Sequence, residues 1–379
     1  MELGIYLKPI LSACYVFPFL AALFTLPYII FQYRKYGSIL LLRVAIVYTF
    51  IFYMMTSYFM TILPLPPIDS VTPDTASVLL TPFDALRNWI DTSGIVFSDP
   101  STYFSSLKNE YFLQIFFNIL LIFPFGVYLR YYFNRKWYQV IMLSFLYSLF
   151  FEMTQLSGLY GIYPYPYRYF EVDDLICNTL GGFIGYICTP LLLFMLPDRK
   201  RLDDMSYEKG THVSIFRRMI ALAFDSVIIG ICYLFLIKKT ALSDVIPSYA
   251  HGLIIPFIAF IYFTITTVIF SGYTLGKFIV KIRIVNEDNM KAPFHMLVIR
   301  NAILYLLLLP SLIYSTTLIN YMESISNSRL QLAAIIGISI LLAIAAYFAL
   351  NILSCFVRRK VQFGYDRICH LMVVSTIKN

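Results

Sequence analysis

The 379 residues hold 29 Lys and Arg against 21 Asp and Glu, a net charge of +8, and are 59% hydrophobic with only 13% charged. Soluble domains carry about 25% charged residues, so this composition excludes an ordinary soluble globular protein. The cations are spread over short segments rather than gathered on one face, which excludes a nucleic-acid partner.

Runs of about 20 apolar residues predict helices that cross the hydrocarbon core, where the backbone must satisfy its own hydrogen bonds. Nine such runs follow in chain order: 11–31, 44–63, 112–129, 137–156, 175–196, 219–237, 253–270, 302–319 and 330–356. The alternating ten-residue segments of a β-barrel are not seen. The fold class expected is therefore an all-α polytopic membrane protein with about nine transmembrane helices. All 29 Lys and Arg fall outside these runs. With 32–43 and alternate segments thereafter assigned to the cytoplasm, 22 cations lie inside and 7 outside. That asymmetry predicts an outer N-terminus and a cytoplasmic C-terminus. It also predicts membrane lipids, anionic ones of the inner leaflet above all, as partners. The first run lacks a small-x-small cleavage site and is read as a retained span. The six cysteines (14, 177, 188, 232, 355, 369) avoid the long outer loop, so neither a disulfide framework nor a zinc site is expected. No cofactor is expected.

The chain divides near residue 200. Residues 1–197 carry five spans, 198–213 (DRKRLDDMSYEKGTHV) read as a cytoplasmic linker, and 214–379 carry four. No internal repeat is visible, so an inverted-repeat transporter gains no support. The loop 64–110 contains LPLPP, VTPDT and acids at Asp69, Asp74, Asp84, Asp91 and Asp99; Trp89 and its apolar neighbours predict an interfacial helix. This loop is either a solvated connector or a lid.

Two acids fall within the spans, Glu152 and Asp225, and an ionisable group at membrane depth is a functional candidate by default. Ser148, Glu152 and Gln155 follow i, i+4, i+7 spacing and share a helix face near the outer end of the fourth span. Asp173 and Asp174 open the fifth span, Asn178 lies one turn deeper, and Asn118 lies in the outer half of the third. Short connections make these three helices neighbours. An Asp before a helix also suits an N-cap, Gly181-x-x-x-Gly185 suits close helix packing, Pro124 with Gly126 suits a kink or helix end, and buried Glu, Gln and Asn suit interhelical hydrogen bonds.

The run NILLIFPFG, then S-x-x-x-E-x-x-Q, then R-x-F-E-V-D-D-x-x-x-N-T-L-G-G-x-x-G resembles the VanZ family over about residues 40–197. The matching positions are Asn118, Pro124, Gly126, Glu152, Gln155, Arg168, Asp173, Asp174, Asn178, Gly181, Gly182 and Gly185. The Tyr- and Pro-rich loop 156–167 departs from the family pattern. The resemblance implies a bacterial cytoplasmic membrane and an envelope role, with lowered susceptibility to teicoplanin-like lipoglycopeptides. It supplies no reaction, and no catalytic residue is assigned.

The second half opens with FRRMIALAFDSVI, which puts Arg218, Ala221 and Asp225 at i, i+3, i+7. An Arg seven residues before a buried acid can pair with it directly or through neighbours. SGYTLGKFIVKIRIV follows the seventh span; Gly272 and Gly276 bracket a turn, and FIVKIRIV suits a strand or short helix. With Arg300 and the tail GYDRICHLMVVS, these residues resemble the RDD domain over about 213–376. The matching positions are Arg217, Arg218, Ala221, Asp225, Gly272, Thr274, Gly276, Lys277, Arg283, Arg300, Asp366, Val373 and Val374. Tyr365 and the run His370-Leu371-Met372 depart from the family's tail. The resemblance implies ion transport as one function; a structural charge network at the inner interface is the plainer account.

Three functions are consistent with these residues. The first is an envelope factor whose outward polar site (Asn118, Glu152, Gln155, Arg168, Asp173, Asp174, Asn178) engages a lipid-linked wall precursor, a lipid headgroup or a lipoglycopeptide. The second is a membrane-embedded enzyme with Glu152 as general base and a divalent cation held by Asp173 and Asp174. The third is ion or proton transport through Glu152 and Asp225. The inner group of candidates is Arg217, Arg218, Asp225, Lys277, Arg300 and Asp366.

Overall fold

A computed structural model describes residues 3–75, 78–239, 251–322, 328–357 and 362–377. Among the described residues eight helices are long and apolar enough to cross a membrane: Lys8–Tyr36, Leu41–Ile62, Glu110–Tyr131, Trp137–Leu156, Val172–Leu192, Ile215–Phe235, Phe294–Asn320 and Ser328–Cys355. The chain is a multi-pass membrane protein of the all-α class, with two short two-stranded sheets. The seventh expected span contains the shorter apolar helix Ile254–Ile269. The whole helix, His251–Ile269, has 19 residues and reaches about 28 Å, close to the roughly 30 Å of a hydrocarbon core.

The chain forms two compact units, one of Met1–Leu26 with Leu40–Asp203, the other of Pro27–Ile39 with Asp204–Asn379. The first helix, α1 (Leu3–Tyr36), contributes to both.

In the first unit α2 is Leu41–Ile62, α3 Asp84–Ser93, α4 Glu110–Tyr131, α5 Trp137–Leu156 and α6 Val172–Leu192. The core of this unit is the face-to-face pairing of α4 and α6. A Cβ at Gly126 would meet the carbonyl oxygen of Gly182, one at Gly181 that of Ile119, and one at Gly185 that of Phe123. Only glycine permits this backbone approach, so the small-residue spacing acts in packing. Helix α4 runs on through Pro124 to Tyr131, and Gly126 is part of its packing face. Ile122, Phe125, Val140 and Phe151 fill the adjoining apolar core.

The loop between α2 and α4 is ordered by several polar ties. Strand β1 (Val78–Leu79) pairs in parallel with β2 (Phe170–Glu171). The expected helix around Trp89 is α3, and the Trp89 indole N–H donates to Ser106 O at 3.1 Å.

In the second unit α7 is Arg199–Thr211, α8 Ile215–Lys239, α9 His251–Ile269 and α10 Leu275–Ile279. Residues 198–213, expected as a linker, are thus mostly helix. FIVKIRIV supplies both of its alternatives: the end of α10, then strand β3 (Ile282–Asn286). Helix α11 (Phe294–Ala302) continues into a π-helical stretch, Ile303–Leu308, before Pro310 and α12 (Ser311–Met322). Proline lacks an N–H and its ring crowds the carbonyl four residues back, which accounts for the widened turn at this point. Helix α13 is Ser328–Val357 and α14 Gly364–Ile368. Strand β4 (Leu371–Ser375) pairs antiparallel with β3, Arg283 opposite Val374 and Ile284 opposite Val373. Ile282, Ile284, Leu297, Leu371 and Val373 form the apolar core beneath this ribbon. The six cysteines are free thiols.

Candidate functional site

Four elements of the first unit bring polar side chains to one end of the bundle, the end that carries β1 and β2. The end of α2, the first half of α4, the end of α5 and the start of α6 enclose a cavity of about 370 Å³. Its lining includes Asn118, Glu152, Gln155, Arg168, Asp174 and Asn178. Six of the seven residues expected at the outer site therefore converge; Asp173 is not among them.

The hydrogen bonds explain the arrangement. Arg168 donates from Nη1 to Thr61 O (3.0 Å) and from Nη2 to Leu63 O (3.1 Å), and Gln155 Nε2 also donates to Thr61 O (3.0 Å). These are unpaired carbonyls at the C-terminal end of α2, where cations are favoured. Glu152 is buried and accepts from the backbone N–H of Glu171 at 3.1 Å. Asn118 donates to Asp174. Asn178 Nδ2 donates to Ser148 Oγ at 2.9 Å, and Ser148 passes its own proton to the Asp174 carbonyl at 3.4 Å. Asn178 Oδ1 is buried without a partner among the described residues. Beside the cavity, burial pushes the Glu171 carboxyl above its ordinary value, opposed by a hydrogen bond from Gln114 (2.8 Å).

Asp173 has a different task. Its carboxylate accepts from Phe83 N (2.5 Å) and Ala85 N (2.7 Å), capping α3 rather than its own helix. Asp173 and Asp174 thus turn to separate partners. The loop 64–110 is pinned by Asp173 but supplies no lining residue. Sequence reasoning overlooked the α2 wall: Tyr53, Thr56, Ser57 and Thr61 line the cavity. Their i, i+3, i+4, i+8 spacing was the available signal.

The second unit holds two separate polar clusters. Asp225 is fully buried and accepts from the Tyr262 hydroxyl (2.7 Å), the Thr274 hydroxyl (2.6 Å) and Gly276 N (2.8 Å). It fixes the turn before α10. Arg218 pairs instead with Asp366 Oδ2 (2.8 Å), and Arg300 Nε with Oδ1 (2.7 Å). Burial alone would raise the Asp366 carboxyl, but Arg300 and Arg218 hold it below its usual range. Lys277 stands over the Phe263 ring, Nζ 5.1 Å from its centroid. Burial, with Arg300 adding repulsion, pushes its ammonium down to about 7. Arg217 belongs to neither cluster: it donates to Val280 O (2.7 Å), Gly210 O (2.7 Å) and Lys281 O (2.8 Å), clamping the start of β3. Among the described residues no group of three or more His, Cys, Asp or Glu is placed to hold a metal ion.

Residues 50–194 match the VanZ/LLP1 family model, and residues 212–370 match the RDD family model. The chain joins a VanZ-like domain to an RDD domain. Comparison with the curated proteins and with the solved structures gave no match. The VanZ-like match spans every residue of the cavity, and the RDD match spans both clusters around Asp225 and Asp366. The two families agree with a multi-pass membrane protein of the cell envelope.

Proposed function

We propose that the VanZ-like domain is a binding module of the bacterial cytoplasmic membrane. Its cavity faces outward and engages an amphiphile of the outer leaflet (a lipid-linked wall precursor, a lipid headgroup or a lipoglycopeptide), lowering susceptibility to teicoplanin-like lipoglycopeptides. The observation that carries this reading is the convergence of Asn118, Glu152, Gln155, Arg168, Asp174 and Asn178 on one cavity. Outward orientation is supported by the distribution of Lys and Arg, 22 of which fall on the opposite set of connections. The RDD domain serves as anchor or modulator in this reading.

The test is in cells. Removing the chain should raise sensitivity to a teicoplanin-like lipoglycopeptide, and Glu152→Gln at unchanged membrane abundance should reproduce that loss. Full protection by the Glu152→Gln protein would overturn the reading.

A further inference from the structure

The cavity of the VanZ-like domain is rich in acceptors, and each of its donor side chains is already engaged with a neighbour. Asn118 and Gln155 each direct an amide N–H to a neighbour, Asp174 and Thr61 O respectively. Arg168 turns two guanidinium N–H groups to Thr61 O and Leu63 O, which anchors it at the end of α2. Among the described residues Glu152 takes one hydrogen bond, at Oε2, which leaves Oε1 for a ligand. Asn178 is 3% exposed, lines the cavity, and has an amide oxygen with no donor among the described residues. Its amide N–H donates to Ser148 Oγ at 2.9 Å, which leaves Oδ1 as the open acceptor. A buried acceptor left unpaired costs about 1–3 kcal/mol, which a donor-bearing ligand would recover.

The charge balance points the same way. The carboxylates of Glu152, Glu171 and Asp174 lie close enough to repel one another, and the cation acting on Glu152 is Arg168. The site therefore holds three carboxyl groups against one guanidinium, a shortage of positive charge. The rim supplies the rest of the chemistry. Phe117 and Leu120, 37% and 47% exposed, lie on the lateral face of α4, a helix apolar enough to cross the membrane. The cavity thus has an exposed apolar rim on a membrane-length helix, suited to an acyl chain.

We propose that this cavity receives a primary ammonium group carried by an acylated molecule. Three N–H donors meet Glu152, Asp174 and Asn178 Oδ1, and the acyl chain runs out along Phe117 and Leu120. The proposal rests on the reading of the cavity as a ligand site and names the group it takes. A membrane phospholipid and a lipoglycopeptide can both supply that chemistry.

The experiment uses the full chain in phosphatidylglycerol nanodiscs and reads co-retained molecules by native mass spectrometry. One arm offers phosphatidylethanolamine beside its N-acetylated form; the other offers an amine-bearing lipoglycopeptide beside its N-acetylated form. The expected result is about tenfold greater retention of the free amine in at least one arm, and the arm identifies the source. Glu152→Gln and Asp174→Asn should each bring the ratio toward one. Comparing ligands on the wild-type chain keeps the test valid even where a variant folds poorly. Equal retention of free and acetylated forms in both arms would overturn the ammonium assignment while leaving a ligand site standing. So would a preference that survives both substitutions, or displacement of the amine by Mg²⁺ alone. Retention of neither form in either arm would remove the ligand-site reading with it.

Discussion

Asp173 lies in the first turn of α6, yet its carboxylate closes the N-terminus of α3, 88 residues earlier, through Ala85 N at 2.7 Å. The same carboxylate holds Phe83 N at 2.5 Å while Phe83 sits at φ +63°, a conformation that a bulky side chain seldom adopts unaided. Asp173 thus caps α3 from the bundle, while Trp89 packs on Phe112 of α4. Asp173→Ala should loosen α3 at a cost of about 1–2 kcal/mol. Hydrogen exchange should rise across residues 78–93 and stay unchanged in α4 and α6. Unaltered protection there would refute the tie.

Asp366 is the shared counter-charge of two guanidinium groups, those of Arg218 and Arg300. Asp366→Asn leaves Arg218 and Arg300 without that counter-charge, and should destabilise the second unit by about 3–5 kcal/mol. Arg218→Lys keeps the charge but loses the planar fork, and should cost less. Thermal unfolding of the two variants in one detergent gives the comparison.

Lys277 titrates near 7 when folded and near its ordinary 10.5 when unfolded. Between those values the unfolded chain binds more protons, so stability from this group rises with pH over about 7 to 10.5 and is lowest below 7. Lys277→Met removes that dependence. The variant should gain on wild type by about 2 kcal/mol more at pH 7 than at pH 9, since each pH step carries about 1.4 kcal/mol. A gap independent of pH would contradict the assignment.

Gly126 and Gly230 are both helical glycines in opposite surroundings. A Cβ at Gly126 strikes the backbone of Gly182, which cannot move aside, whereas at Gly230 it meets open space. Gly126→Ala should cost about 1–3 kcal/mol through forced separation of α4 and α6. Gly230→Ala should be neutral or stabilising, by up to about 1 kcal/mol, because alanine favours helix. Unfolding midpoints of the purified variants test the contrast.

Much of the polar site was legible because helix periodicity is local. The i, i+4, i+7 spacing put Ser148, Glu152 and Gln155 on one face, and the antiparallel order of short-linked helices put Asn118, Asp174 and Asn178 at the same end. The partition of the acids was not legible. Asp173 and Asp174 are adjacent in sequence, but successive helical residues point about 100° apart, so one faces α3 and the other the cavity. Nor did spacing reveal that Arg218 would serve Asp366 rather than Asp225. That choice depends on α14, 148 residues away, and on Tyr262, Thr274 and Gly276 already satisfying Asp225.

The sequence by itself determined a chain of apolar helices arranged as a VanZ-like domain followed by an RDD domain. Apolar run length and motif spacing are properties of consecutive residues, and the cost of exposing backbone in lipid leaves helix as the outcome. Tertiary structure alone decided which acid meets which donor. A buried carboxylate takes whatever N–H or cation the packed helices bring within 3 Å, and that distance is set by glycine-mediated contact between α4 and α6 in one unit and by the β3–β4 ribbon and its neighbours in the other.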